Sequence, residues 1–365
     1  MSQKNLLLIT PDFPPHKGGV ATYLSTLADY LKRQIEVVTE THVQSELFDV
    51  KVEYSVYRKS LLYKWIWPRW LKIVTYLFFH KDRYRLILVS HLLPVGAAAF
   101  FAKKLTGIPY IVFVHGMDLR LTKKSWRKRW LTAQIVKQAQ VVVANSKSLA
   151  KEIRETYGVS QVLVLYPCLS PQADKRSVFI RDPSVFTLLT VSRLVERKGH
   201  IPILYALAHL KKSGKLSTFI YHIVGLGPME PTLKSLVLEL DLETDVLFHG
   251  SVDDQDRWNL YNSSDLFIMP VSLDPIDKEG FGLVFIEAAQ AGLPSLSTNI
   301  EGVDEAIIDG ETGILLPDQN EQVLAETIFA LYSNQSLRQR LSDNARKHAQ
   351  TFLCDVQMKK IDHYL

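Results

Sequence analysis

The stretch LFIMPVSLDPIDKEGFGLVFIEAAQAGLPSLST, residues 266–298, reads as strand, loop, helix and strand. LFIMP (266–270) and PSLST (294–298) flank a segment of helical period that opens near Gly282. Two short strands joined through a helix lie parallel in one sheet, because a tight hairpin cannot make that connection. The same alternation extends outward over the whole chain. Ahead of it come FTLLTVS (186–192), FIYHIVG (219–225) and VLFHG (246–250). Earlier still are LLLIT (6–10), IEVVT (35–39), LILVS (86–90), YIVFV (110–114), VVVAN (141–145) and VLVLY (162–166). Strands so uniformly apolar are buried on both faces, which predicts α/β architecture with doubly wound parallel sheets. Between Pro167 and Pro183 the pattern lapses into a proline-marked, aperiodic linker. Two Rossmann-like domains are expected, with ligands at the carboxyl ends of the strands, in the cleft between the domains.

The charge changes sign near that linker. Residues 1–170 hold 25 Lys+Arg against 11 Asp+Glu, whereas residues 171–365 hold 18 against 27. This asymmetry points to two domains with different partners. Two cysteines, Cys168 and Cys354, exclude a disulfide scaffold and a Cys-x-x-Cys zinc site, so a reduced, cytoplasmic setting is the expectation. The start, MSQKNLLLIT, reads as a strand and not a signal peptide. The longest charge-free run, Leu86–Ala102, contains Pro94 and Gly96 and parses as strand plus helix, not as a membrane span. The first domain has no Asp-x-Asp, and the chain has no His-x-x-x-His pair, Walker loop or Gly-x-Ser-x-Gly elbow. No metal site and no cofactor are expected.

Several strand ends carry residues suited to chemistry. Gly18-Gly19 opens a helix after the first strand, where amide groups can approach an anion; an ordinary turn is the alternative. Gly225-Leu226-Gly227 resembles half of a dinucleotide fingerprint, but it lacks the third glycine and reads as a tight turn. Arg193 directly follows a buried strand, and Lys198 comes five residues later; such cations converge on a diphosphate or else are merely solvated. Glu279 and Glu287 flank Gly280-Phe281-Gly282. Glu287 falls in the second helical turn, facing back toward the cleft, and free amides at residues 281–284 suit a phosphate. His115 ends the strand YIVFV and is placed to give a hydrogen bond or a proton; a satisfied core histidine is the alternative. His80, His209 and His348 read as surface residues.

Taken together, VSRLVERKG, IVGLGP, LFHGSV, EGFGLVFIEA and EGVDEAIIDGETGILL resemble glycosyltransferase family 4, over nearly the whole chain. The resemblance implies the GT-B fold and retaining, metal-independent hexosyl transfer from a nucleoside-diphosphate sugar. It implies that Arg193 and Lys198 neutralise the diphosphate, that Glu287 binds the ribose and that Glu279 holds the donor sugar. It further implies that the backbone around Phe281, Gly282 and Leu283 meets sugar or phosphate, that Val252 meets the base, that Gly19 meets the phosphates and that His115 lies near the sugar. Glu301 departs from the family's usual Gly-Gly pair but touches no assigned role. Implied boundaries are 1–172 for the acceptor domain and 173–345 for the donor domain, with 346–365 a helix returning to the first domain. GDP-mannose is favoured as donor by general similarity to mannosyltransferases; UDP-sugars stay open.

Acceptor choice belongs to the first domain in this fold. There, residues 58–85 carry eight Lys+Arg and eight aromatics against one Asp, and residues 120–130 carry six basic residues and no acid. Five of the six tryptophans lie in these two segments. Cations beside aromatic rings suit an anionic membrane surface, each contributing about 1 kcal/mol. A soluble helix with a solvated basic face is the alternative, and nucleic acid is not expected. The expected protein is a peripheral enzyme on the inner face of the cytoplasmic membrane. It would act on a glycan or glycolipid acceptor in cell-surface polysaccharide or glycolipid synthesis. A UDP-sugar-dependent transferase with a soluble acceptor, and a catalytically silent nucleotide-sugar-binding subunit, are the competing readings.

Overall fold

The computed structural model describes residues 5–16, 18–43, 45–116, 119–120, 122, 125–169, 182, 184–272 and 281–365. The chain divides into two compact units, Met1–Cys168 with Cys354–Leu365, and Leu169–Leu353. The implied boundaries at 172/173 and 345/346 thus compare with observed divisions at 168/169 and 353/354.

The first unit is built on strands β1 (Asn5–Thr10), β2 (Ile35–Thr39), β3 (Ser55–Arg58), β4 (Tyr84–Ser90), β5 (Tyr110–Val114), β6 (Val141–Ala144) and β7 (Val162–Val164). They form one parallel sheet in the order β3-β2-β1-β4-β5-β6-β7. Side chains alternate across a strand, so each face of β1 feeds a separate core. Leu7 and Ile9 pack with Ile73, Val74 and Leu77 of the helix Leu71–Phe79, whereas Leu6 and Leu8 pack with Leu24, Leu27 and Ala28 of the helix Gly19–Leu31. Burial on both faces is why these strands read as unbroken apolar runs. One acidic residue breaks the pattern. Glu36 on β2 is buried, and burial alone would push its carboxyl up. Hydrogen bonds from Arg83, Asn5 and Tyr84 outweigh that cost and hold it below its ordinary value.

The C-terminal segment completes this unit. Met358 and Ile361 are fully buried in the same core as Leu6 and Leu165, and Tyr30 donates to Asp362 at 2.7 Å. Cys168 and Cys354 are joined as a disulfide. The expectation of a reduced pair is corrected: 186 residues separate the two cysteines, and only the return of the chain brings them together.

The second unit carries β8 (Phe186–Val191), β9 (Phe219–Val224), β10 (Val246–Gly250), β11 (Leu266–Ile268), β12 (Ser295–Thr298) and β13 (Gly313–Leu316), parallel in the order β10-β9-β8-β11-β12-β13. In each sheet the order reverses between two adjacent strands, β1 and β4 in the first unit and β8 and β11 in the second. Loops diverge there and leave a crevice at the strand ends. Among the described residues no helix is long and apolar enough to cross a membrane.

Candidate active site

At the reversal point of the second unit, β8 runs into the segment that carries both predicted cations. Arg193 is exposed, whereas Lys198 closes a short helical turn, Glu196–Lys198, and is only 6% exposed. Arg197, which the sequence reading passed over, is buried beside it. Two glycines set how close the neighbouring loop comes. A Cβ on Gly227 would stand 2.3 Å from the Leu194 carbonyl oxygen, and the Leu194 amide donates to Leu226 at 3.0 Å. The Gly225–Gly227 pair therefore serves loop-against-loop contact, which corrects the tight-turn reading.

The loop that follows β11 locks onto the same segment. The Ser272 amide donates to the Arg197 carbonyl at 2.8 Å. Gly199 has φ +75°, and a Cβ there would lie 2.2 Å from the Pro270 carbonyl oxygen. A side chain at Gly199 thus meets both a disfavoured backbone region and a fixed carbonyl. Gly199→Ala is expected to lower stability by more than the roughly 1 kcal/mol of the backbone effect alone. It should also weaken nucleotide binding, and calorimetric melts with and without GDP check both effects. An unchanged melting temperature would mean that the two loops are not coupled.

Beneath the cations runs a buried polar chain. His200 meets the Ser192 hydroxyl at 3.1 Å and the Tyr221 hydroxyl at 3.3 Å, and Tyr221 meets Thr190 at 2.8 Å. Burial, reinforced by the Lys198 charge, pushes His200 down to about 4, so it serves as a neutral support for the loop. Thr190 and Tyr221, polar residues inside otherwise apolar strands, were the available signal for it.

The predicted helix begins at Leu283, one residue after Gly282, which caps it in the left-handed conformation. Phe281 is buried, its ring 5.3 Å from Phe352. Glu279 and Gly280 lie outside the described residues. Glu287 is buried in this helix and faces the helix Asp254–Ser263; the expected direction, back toward a cleft, is corrected to that contact. The Tyr261 hydroxyl donates to its Oε2 at 2.8 Å, and Arg257 Nη2 lies 3.5 Å from its Oε1. Burial raises the Glu287 carboxyl above its ordinary value, partly offset by Arg257 and Tyr261. Val252 sits half-buried just beyond β10.

In the first unit, His115 follows β5 with its ring 5.8 Å from Tyr23 and 5.5 Å from His91. Burial, with His91 adding to it, pushes His115 down to about 3, so the ring is neutral near pH 7. His91 Nε2 lies 3.3 Å from Asp12 Oδ2, and its Nδ1 lies 2.9 Å from the Ser90 hydroxyl. His91 also holds φ +70°, a strained value of the kind that concentrates at functional sites. Asp12 and His91 escaped the sequence reading; each follows one of the two strands at the reversal, a placement that only the sheet order reveals. Gly19 is the first residue of its helix, and a Cβ there would meet nothing within 4 Å, so open space adjoins it. His80 and His348 are half-buried against Tyr76 and Phe352, which corrects their reading as surface residues. Among the described residues, no group of three or more acidic, His or Cys side chains could hold a metal ion.

Two units of parallel sheet, with cations, a capped helix and a buried glutamate assembled at one reversal point, define the GT-B class of α/β glycosyltransferases. The chain belongs to glycosyltransferase family 4: residues 17–172 match the model described as Glycosyltransferase Family 4, and residues 172–348 match Glycosyl transferases group 1. It is therefore an enzyme, a glycosyltransferase. It is 25% identical over 351 residues to a GDP-mannose-dependent alpha-(1-6)-phosphatidylinositol monomannoside mannosyltransferase of Mycolicibacterium smegmatis, covering 90% of this chain and 89% of that one. A monoacylated-acceptor counterpart from Corynebacterium glutamicum is 23% identical over 375 residues, covering 96% and 94%. Among solved structures, Anabaena HepE in complex with UDP superposes with a TM-score of 0.80 at 19% identity, covering 99% of both chains.

Proposed function

We propose that this enzyme transfers a mannosyl group, with retention, from GDP-mannose to a lipid-linked acceptor at an anionic membrane surface, as a step in cell-surface glycan or glycolipid synthesis. The observation that carries the donor half is the junction of the Arg193–Gly199 segment with the loop after β11, which sets a buried and an exposed cation at the strand ends. Two cations and the free amides of the Leu283–Ala291 helix stabilise the charge that collects on the departing diphosphate, without recourse to a metal. Glu287 takes the ribose hydroxyls, Val252 the base, and Glu279 the sugar. In the step itself the bond from the anomeric carbon to phosphate oxygen breaks as the acceptor oxygen bonds to the same face. The acceptor proton passes to the leaving phosphate. His115, neutral as it stands, serves as a hydrogen-bond partner of the sugar and not as an imidazolium acid. Gly19 leaves room for phosphate.

The guanosine and mannose assignments draw support from the two GDP-mannose-dependent relatives. Membrane attachment draws support from side-chain exposure: Trp65 is 95% exposed, Trp67 89%, Phe79 80% and Trp126 75%. Large apolar rings so open to water, interleaved with lysines and arginines, suit a lipid headgroup layer better than a solvated soluble face.

A thermal-shift screen of GDP-mannose, UDP-glucose and the free nucleotides tests the donor. At a hundred times the dissociation constant, the true donor adds about 2.7 kcal/mol of stability. A larger shift with UDP-glucose would overturn the guanosine assignment. In flotation assays the protein should rise with phosphatidylglycerol vesicles and be released by salt, and Trp65→Ser with Trp67→Ser should reduce the bound fraction severalfold. Equal flotation with neutral and anionic vesicles would sink the membrane reading.

A further inference from the structure

The first unit contains a cavity of about 400 Å³ that no step above uses. Its volume lies within the roughly 300–1,000 Å³ typical of small-molecule sites. Ile9 and Val38, next to the last residues of β1 and β2, line it, as does Lys59, which directly follows β3. The helix Leu71–Phe79 contributes Lys72, Thr75 and Phe79. The cavity thus lies at the carboxyl ends of three parallel strands, where α/β sheets bind ligands.

Its chemistry is amphiphilic. Most of the wall is aliphatic or aromatic, and its two charged side chains with fixed charge are both ammonium groups. Lys59 Nζ stands 4.2 Å from the centre of the Tyr76 ring. Lys59 and Lys72 repel one another, and that repulsion, behind burial, helps to hold Lys59 below its ordinary value. Among the described residues no carboxylate lines the cavity, and neither lysine forms an ion pair. Glu40, the carboxylate that bonds a lining residue, accepts from the Leu61 amide at 2.9 Å. Like charges brought together without a counter-charge are costly, and an anion shared between them removes the cost. A bare anion would leave the apolar wall unused; an apolar molecule would leave the lysines unpaired.

We infer that this cavity binds a phosphate-bearing amphiphile, with the phosphate between Lys59 and Lys72 and the first methylenes of its chain along Ile9, Val38 and Ile73. The inference rests on the lipid-linked acceptor reading above, for which it supplies the headgroup-and-chain subsite. Trp65 and Trp67, exposed in the loop between Lys59 and Lys72, place the site beside the proposed membrane contact.

Calorimetric titration of the full chain with monomeric dodecyl phosphate tests the site, with inorganic phosphate and dodecanol as separate probes. A single saturable event is expected with dodecyl phosphate, at least tenfold tighter than with either probe. Lys59→Gln combined with Lys72→Gln should weaken it tenfold to a hundredfold, since each charge-assisted contact is worth about 1.5–3 kcal/mol. Thr75→Trp, which fills the cavity and keeps both lysines, should weaken it at least tenfold; circular dichroism establishes that each variant is folded. Equal binding by the lysine variant, or by inorganic phosphate or dodecanol alone, would overturn the inference. Glycosyl transfer is not read in this titration, so a wrong acceptor assignment would show in transfer assays while leaving the titration intact.

Discussion

Lys198→Ala is expected to lower kcat/KM for glycosyl transfer by about 10²–10³, the loss typical of removing one preorganised group that stabilises developing charge. The size of the effect follows from burial. An ammonium group inside the protein acts through a low effective dielectric and is little screened by salt, whereas an exposed one is weakened by both water and ions. Lys198 is 6% exposed and Arg193 is open to solvent, so the two cations should not be equivalent. Arg193→Ala should cost about tenfold, and the contribution of Arg193 should shrink further as salt rises from 50 to 500 mM, while that of Lys198 persists. This inverts the ranking that adjacency to a strand suggests, in which Arg193 is the more telling residue. Steady-state kinetics at both salt concentrations distinguish the two cations. A larger loss in Arg193→Ala than in Lys198→Ala would show that the diphosphate sits on the outer side of the segment.

The ranking could not be read from sequence because burial at this point is set by loops far apart in the chain. The alternation of apolar runs with helical stretches made the two sheets legible, down to the reading of residues 266–298 as strand, loop, helix and strand. What it missed were edges. β3 (SVYR) has an exposed or half-buried residue at every position, and β13 (GILL) has only four residues, so neither forms an apolar run. Edge strands are covered less completely, and their sequences carry a weaker signal. The helix start at Gly282 and the diphosphate-binding segment were legible because each depends on local chemistry: a left-handed cap in one case, a cation after a strand in the other. Asp12, His91, Tyr261 and Arg257 were not. Each acquires its meaning from a partner 26 or more residues away, or from the point at which strand order reverses. Gly225 and Gly227 were noticed for the wrong reason, since their small size matters to the facing backbone and not to their own turn.

Glu287→Gln is expected to raise KM for the nucleotide sugar by about 10–100-fold with little change in kcat. A charged acceptor for two ribose hydroxyls contributes about 1.5–3 kcal/mol of binding, equally in the ground and transition states. The pH dependence supplies the more demanding test. Burial raises the carboxyl above its ordinary value, so the charged form that binds ribose is lost at a higher pH than for an exposed glutamate. Donor affinity should fall on the acid side with an apparent pKa above the usual carboxylate range, and Glu287→Gln should abolish that limb. The Tyr261 hydrogen bond favours the charged form; Tyr261→Phe should therefore move the limb to still higher pH. Stability should run the opposite way to function. Between the ordinary value and the raised one, the folded state holds a proton that the unfolded state has released, so stability declines as pH rises through that window. Glu287→Gln imitates the protonated form and should melt higher than the parent enzyme at pH 7, with the difference vanishing near pH 4. Arg257 keeps Asp254 as a partner at 3.2 Å, so the substitution does not strand a charge. A variant that melts lower at pH 7 would mean that the carboxylate is a structural anchor, and the ribose contact would then have to be sought elsewhere on the Asp254–Ser263 helix.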